Sequence, residues 1–164
     1  MNGKVRKGRK MRKRLIIGMS GASGALFTIE LLKQLQQYKE IIETHLIVTK
    51  GAEMTLEQET DYTLEQLYAH ADEVHDNYNI GAGPASGSYR TMGMIVIPCS
   101  MKTLAGIVSG YSDNLVLRAA DITLKERRKK ISLPENGLSR YGNLSNNRCL
   151  CWQEYIMIIW KRNS

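Results

Sequence analysis

LIIGMSGASGALFTIELL, residues 15–32, is the stretch on which the fold turns. Its first five residues are apolar and rich in β-branched side chains, as suits a strand buried on both faces. The next five, Ser20-Gly21-Ala22-Ser23-Gly24, are small and glycine-rich and suit a tight turn. From Ala25 the apolar residues Leu26, Ile29, Leu32 and Leu35 recur at three-residue steps, with Phe27 and Leu31 beside them. That spacing predicts an amphipathic helix to about Tyr38. Strand, glycine turn and helix in this order begin a βαβ unit.

The same alternation continues outward. THLIVT (44–49) predicts a second strand and residues 51–59 a polar helix. TLEQLYAHADEV (63–74) predicts a short helix with Leu64, Leu67 and Tyr68 on one face. Residues 76–88 hold three Gly, a Pro and two Ser without periodicity, which marks a loop long enough to carry function. MGMIVIP (92–98) predicts the third strand, and helical patterns follow at 101–110 and about 113–128. The expected architecture is a doubly wound parallel α/β sheet, which binds ligands at the carboxyl ends of its strands. After Lys129 the pattern lapses: asparagines are scattered, and the apolar run Tyr155–Trp160 lacks an evident partner.

Composition narrows the function classes. A chain of 164 residues allows one domain, and 43% hydrophobic with 24% charged residues is a globular balance. The net charge of +7 is unevenly placed. Residues 1–14 hold eight basic side chains and no acid, residues 15–124 carry −7, and residues 125–164 carry +6. An acidic body between basic ends argues against a basic nucleic-acid-binding domain. No stretch of 18 apolar residues is present, so no membrane-spanning helix is expected. Three cysteines (Cys99, Cys149, Cys151) make no disulfide framework and suit a reducing cytoplasm. Residues 1–13 read as a disordered basic extension, with Met11 a candidate start.

Two motifs are candidates for chemistry. Gly18-Met19-Ser20-Gly21-Ala22-Ser23-Gly24-Ala25 lies between strand and helix, where amide N–H groups and the helix dipole favour an anionic phosphate. It lacks the Gly-Lys-Ser/Thr of a P-loop, and no acid ends the second strand, so a mononucleotide or flavin phosphate suits it better than a dinucleotide. A tight turn without a ligand fits the same residues. Pro98-Cys99-Ser100-Met101-Lys102-Thr103 offers two hydroxyls, a cation and a new helix start at the end of the third strand. Ser100 as a plain N-cap is the alternative there. No metal site is expected: Cys149-x-Cys151 has the wrong spacing, and His45, His70 and His75 are scattered. The run Lys125–Lys130 reads as cations offsetting a helix dipole.

Taken together, GMSGASGA, THLIVTK, Gln58-Glu59-Thr60-Asp61, PASGS, MIVIPCSMKTLAGI, DNLVLRAAD and LKERRK resemble the flavin prenyltransferases, formerly called phenylacrylic acid decarboxylases or 3-octaprenyl-4-hydroxybenzoate carboxy-lyases. The resemblance spans about residues 12–129. It implies a flavodoxin-like three-layer α/β/α fold, usually in a homo-dodecamer with sites shared between subunits. It also implies FMN as cofactor and transfer of a dimethylallyl group from dimethylallyl phosphate to N5 and C6 of reduced FMN, without a metal. The prenylated flavin then serves a partner decarboxylase of the ubiquinone-pathway or aromatic-acid type.

By the same resemblance, Gly21, Ala22, Ser23, Thr49, Ser100, Met101, Lys102 and Thr103 are expected to bind FMN. Glu59 and Ser23 are expected at the prenyl-transfer centre. Ser86, Ser88, Arg118 and Lys125 are expected near the prenyl phosphate or the subunit junction. The family pattern continues past KERRK with a strand ending in Pro-Arg-Glu, whereas here Pro134 is followed by Glu135 and Asn136. Residues 14–129 are therefore read as the FMN-binding domain. Residues 130–164 are read as an atypical tail out of the family frame, from a frameshift near 125–130, leaving the sheet incomplete at its C-terminus and activity impaired. A second reading is an FMN-dependent cysteine decarboxylase, and a third a non-catalytic FMN-binding fragment.

Overall fold

The computed structural model describes residues 11–134, with side chains to Lys129. Five strands are described: β1 Lys13–Met19, β2 Ile42–Val48, β3 Glu73–Asp76, β4 Gly93–Cys99 and β5 Lys129–Pro134. Five α-helices join them: α1 Ala25–Leu35, α2 Lys50–Glu59, α3 Leu64–Tyr68, α4 Met101–Ser109 and α5 Leu115–Lys125. The sheet order is β3-β2-β1-β4-β5 and every pairing is parallel. With the four-residue edge strand β3 set aside, the remaining strands follow the flavodoxin order.

Both faces of the sheet are covered, as its near-continuous apolar strands require. Leu15, Ile17 and Met19 of β1 pack with Ile29 and Leu32 of α1, Leu56 of α2 and Leu67 of α3. Ile16 turns to the other face, where Met94 and Val96 of β4 meet Leu104 and Ile107 of α4 and Leu115–Leu117 of α5. Alternation along one strand thus feeds two cores, and the three-layer arrangement follows.

Several expectations shift. The helix read over 63–74 ends at Tyr68, and Glu73–Asp76 instead pairs with β2 as an edge strand. Thr63 and Gln66 form a capping box at its start, while the later residues are held by a partner strand that helical periodicity cannot report. Leu26 and Phe27 belong to the apolar stripe of α1, yet they are 53% and 66% exposed. The buried face is Ala25, Thr28, Ile29 and Leu32.

Arg12 and Lys13, assigned to the disordered extension, are part of the folded unit. Lys13 opens β1, and Arg12 pairs with Asp72 at 2.7 Å across the sheet edge. β5 continues the sheet to Pro134, past the point where the sequence pattern lapses, with Ile131 opposite Ile95. Residues 1–10 and 135–164, with the rest of the tail reading and Cys149 and Cys151, lie outside the described residues.

His45 is fully buried on β2 with its Nδ1 2.9 Å from Nε2 of His75 on β3. Burial holds both imidazoles below their usual pKa; Glu73 opposes this at both, and the charges of His75 and Arg14 add to it at His45. The unfolded chain takes up these protons near pH 6.5, the native state only at lower pH. Stability is therefore complete above about pH 6.5 and falls as pH drops through the depressed native values. Urea midpoints measured from pH 7.5 to 5 are expected to decline from just below 6.5. A flat profile would show that the pair does not couple to folding.

Candidate functional site

The carboxyl ends of β1, β2 and β4 each open into a helix, so three helix N-termini gather at one edge of the sheet. β1 and β4 are adjacent, and their connections leave toward opposite faces. This is the topological switch point, where open α/β sheets form a crevice.

Buried Ser20 ties the two sides together. Its Oγ donates to the Pro98 carbonyl at 3.0 Å and accepts from the Ser100 amide at 2.7 Å. The Ser20 amide also donates to Pro98 O at 3.2 Å. Within the Gly18–Ala25 motif, a hydroxyl one residue beyond a buried strand is the sequence signal for this role of Ser20. Ser20→Ala leaves the half-buried Ser100 amide without its acceptor and removes one of the two hydrogen bonds to Pro98 O, at a cost of about 1–3 kcal/mol. Denaturant unfolding should report that loss, and an unchanged midpoint would mean water or a shifted backbone replaces the hydroxyl.

The first turn is built around two glycines. Gly24 has φ 109°, in the left-handed region, and forms the N-cap of α1. A Cβ on Gly21 would lie 2.8 Å from the Gly51 backbone at the start of α2, so these turns touch directly. α1 has no acid in its own first turn; the acid comes from the end of α2. Glu59 Oε2 accepts from the Gly24 amide at 2.9 Å and the Ala25 amide at 3.3 Å. These backbone bonds, led by Gly24, and a hydrogen bond from the Ser23 side chain hold the Glu59 carboxyl below its usual pKa. Glu59 and Ser23, more than thirty positions apart in sequence, thus meet over the α1 N-terminus, with both side chains accessible.

The second and third turns are capped by their own hydroxyls. Thr49 Oγ1 accepts from the Ala52 amide at 3.2 Å, and the Thr49 amide donates to Met19 O. Ser100 Oγ accepts from the Thr103 amide at 3.2 Å and donates to Thr103 Oγ1 at 3.0 Å. Ser100 is therefore the N-cap of α4, with Met101 packed partly on the core and Lys102 exposed. Gly21, Ala22, Ser23, Thr49, Glu59, Ser100, Met101, Lys102 and Thr103 share this one edge. Ala22 is buried at 3% exposure and supports the turn through its backbone.

The remaining candidates divide. Arg118 is in the first turns of α5, whose start is fixed to this edge by Asn77: Asn77 Oδ1 accepts from Val116 N at 3.1 Å. Ser86, Ser88 and Lys125 are at the opposite edge. Ser86 and Ser88 bond each other at 2.9 Å in the loop before β4, and Lys125 ends α5 just before β5. Arg128 clamps that loop, donating to Gly87 O at 2.7 Å and Tyr89 O at 2.9 Å. Its guanidinium thus holds loop carbonyls, a role beyond the dipole-offsetting cation expected of the basic run. A cleft of about 1070 Å³ opens at this opposite edge. Its lining, with Arg12, Arg14, Glu43 and Asp72, is an ion-pair network apart from the switch-point cluster.

Comparison with known proteins follows the same lines. The family model described as Flavoprotein matches residues 4–148. The flavin prenyltransferase UbiX of Escherichia coli K12 is 52% identical over 116 residues, covering 71% of this chain and 61% of that protein. The UbiX of Neisseria meningitidis serogroup B is 48% identical over 136 residues, covering 83% of this chain and 71% of that protein. Thus the chain spans about three fifths of the length of the Escherichia coli relative.

Among solved structures, AnUbiX (PadA1) in complex with FMN and dimethylallyl pyrophosphate superposes with TM-score 0.74 at 45% identity, covering 79% of this chain and 69% of that one. The dodecameric FMN-dependent Ubix-like decarboxylase of Escherichia coli O157:H7 gives 0.73 at 50%, covering 75% and 66%. The FMN-dependent cysteine decarboxylase TvaF gives 0.63 at 14%, covering 92% and 96%, which shows a shared fold alone. With its flavodoxin-like sheet and its glycine turn at the switch point, the chain belongs to the Flavoprotein family and, within it, to the UbiX-type flavin prenyltransferases.

Proposed function

We propose that this chain binds FMN at the switch-point crevice and transfers a dimethylallyl group from dimethylallyl phosphate to the reduced flavin. The observation that carries the reading is the meeting of two turns, Ser20–Gly24 and Ser100–Thr103, through Ser20. Helix N-termini and amides at one edge suit the flavin phosphate. Hydroxyls of Thr49, Ser100 and Thr103 are placed beside them. The prenyl donor, a phosphate monoester rather than the pyrophosphate bound to AnUbiX, would add its own dianion. Lys102 and Arg118 are the exposed cations assigned to these phosphates.

Reduced flavin, held by the Ser20–Gly24 and Ser100–Thr103 turns, would supply the nucleophile, with phosphate as the leaving group from the allylic carbon. The chain's own part is to position both partners and to manage a proton. Glu59 is a carboxylate at neutral pH because three hydrogen bonds favour its charged form. It therefore acts first as proton acceptor and orienter of Ser23, and returns a proton only after gaining one.

Ser86, Ser88 and Lys125 stand at the far edge of the sheet and reach a crevice only on another copy. We therefore assign them to a neighbouring subunit's site in a homo-oligomer. Exposed Leu26 and Phe27 on α1, with Met54 on α2, supply apolar surface for that contact. A partner decarboxylase would receive the product in the cytoplasm, a location supported by the low cysteine count; no helix of the described residues is long and apolar enough to cross a membrane.

The binding half is tested by titrating the purified full chain with FMN. Saturable quenching of flavin fluorescence at one flavin per chain, weakened in Ser100→Ala, is expected. Absence of saturation would overturn it.

A further inference from the structure

Away from the crevice, parallel pairing collects three ligand-type side chains that the sequence scatters. His45 on β2 is the register partner of Glu73 on β3, and His75 follows Glu73 by two positions. Residues two apart in a strand share a face, so all three point to one side of the sheet. His45 Nδ1 is 2.9 Å from His75 Nε2 and 3.4 Å from a Glu73 oxygen, whose other oxygen is 3.6 Å from His75 Nε2. The donor atoms all lie within 4.8 Å of one another. Tyr89 Oη, from the loop before β4, is 3.1 Å from the same His45 nitrogen.

The 2.9 and 3.4 Å separations around His45 Nδ1 match those of ligands on a shared ion. Ligands held at about 2.1 Å from zinc lie about 3.0 Å apart at a right angle and about 3.4 Å apart in a tetrahedron. A donor set of two imidazoles and a carboxylate is a first-row transition-metal set, and too nitrogen-rich for magnesium or calcium. The second nitrogen of His45 faces Glu43 Oε1 at 3.7 Å, which sets a carboxylate behind the ligand. Arg14 stacks 4.4 Å from the Tyr89 ring, and Glu43 offsets its charge at 3.9 Å. His45 is closed off at 0% exposure and His75 nearly so at 9%, but the Glu73 side chain is 52% exposed and provides an entry path.

We propose that His45, Glu73 and His75, with Tyr89 alongside, form a binding site for one divalent transition-metal ion of the zinc class. The ion ties edge strand β3, which has only four residues in its ladder, to β2 and the loop that carries Ser86 and Ser88. The site is structural: His45 precedes Thr49 by four residues, roughly 13 Å along the strand from the crevice. It needs no flavin and no turnover.

The test is calorimetry with Zn²⁺ on the untagged full chain carrying Cys149→Ser and Cys151→Ser, which removes the tail thiolates. Co²⁺ absorption provides a second readout. One equivalent bound at micromolar or tighter affinity is expected, with no thiolate charge-transfer band and a rise in Tm. Glu73→Gln, at an exposed position that tolerates change, should weaken binding at least about 10-fold. His75→Ala should weaken it further, and His70→Ala should leave it unchanged. No binding, or binding equal to the parent in both Glu73→Gln and His75→Ala, would overturn the proposal. If His75→Ala fails to fold, Glu73→Gln alone decides.

Discussion

Glu59→Gln is expected to lower the rate of prenyl transfer by about 10²–10⁴-fold while leaving FMN affinity within about 3-fold. The amide keeps an oxygen that can accept from the Gly24 and Ala25 amides, so the start of α1 stays capped. What it loses is the charge and the capacity to take a proton. Glu59→Ala removes the cap as well, and should add a stability loss of about 0.5–2 kcal/mol. Single-turnover kinetics with prebound reduced FMN separate the two effects. A Glu59→Gln rate equal to the parent's would remove Glu59 from the chemistry and leave it a capping residue only.

Gly21→Val is expected to weaken flavin binding by at least about 30-fold. A Cβ at this position already meets backbone on the far side at 2.8 Å, and neither the β1 turn nor the α2 start can yield by rotating a side chain. Overpacking of this kind costs about 1–3 kcal/mol, and a 2 kcal/mol displacement of the turn alone corresponds to about 30-fold in affinity. Valine's branches would also occupy the exposed side of the turn, where the ligand is expected. FMN titration checks the loss, and the far-UV spectrum should show the helices retained. Full affinity in Gly21→Val would mean that the flavin lies elsewhere.

The β1-turn-α1 unit was legible because strand, turn and helix are set by neighbouring residues. Ser20–Gly24 and Ser100–Thr103 could be located for the same reason, and their convergence follows from where parallel strands end. Residues that depend on distant partners were not legible. β3 is a strand because β2 is beside it, and the His45–His75 pair exists only through that register. Glu59 was placed at the chemistry by resemblance, yet its capping of α1 needs the end of one helix to reach the start of another. Arg12 looked like part of a basic leader because Asp72, its partner, is sixty residues away. Leu26 and Phe27 obey helical spacing without being buried, so periodicity overstated the core face. The split of Ser86, Ser88 and Lys125 from the other candidates is a matter of which sheet edge each loop serves.

The central claim, that this chain makes a prenylated flavin at the switch-point crevice, is tested most directly by the mass of the flavin itself. The full chain would be incubated anaerobically with reduced FMN and dimethylallyl phosphate, and the released flavin weighed by mass spectrometry. A flavin heavier by one prenyl unit, formed only with the chain present and suppressed in Glu59→Gln, is the predicted result. Unmodified FMN after prolonged incubation with flavin demonstrably bound would contradict it.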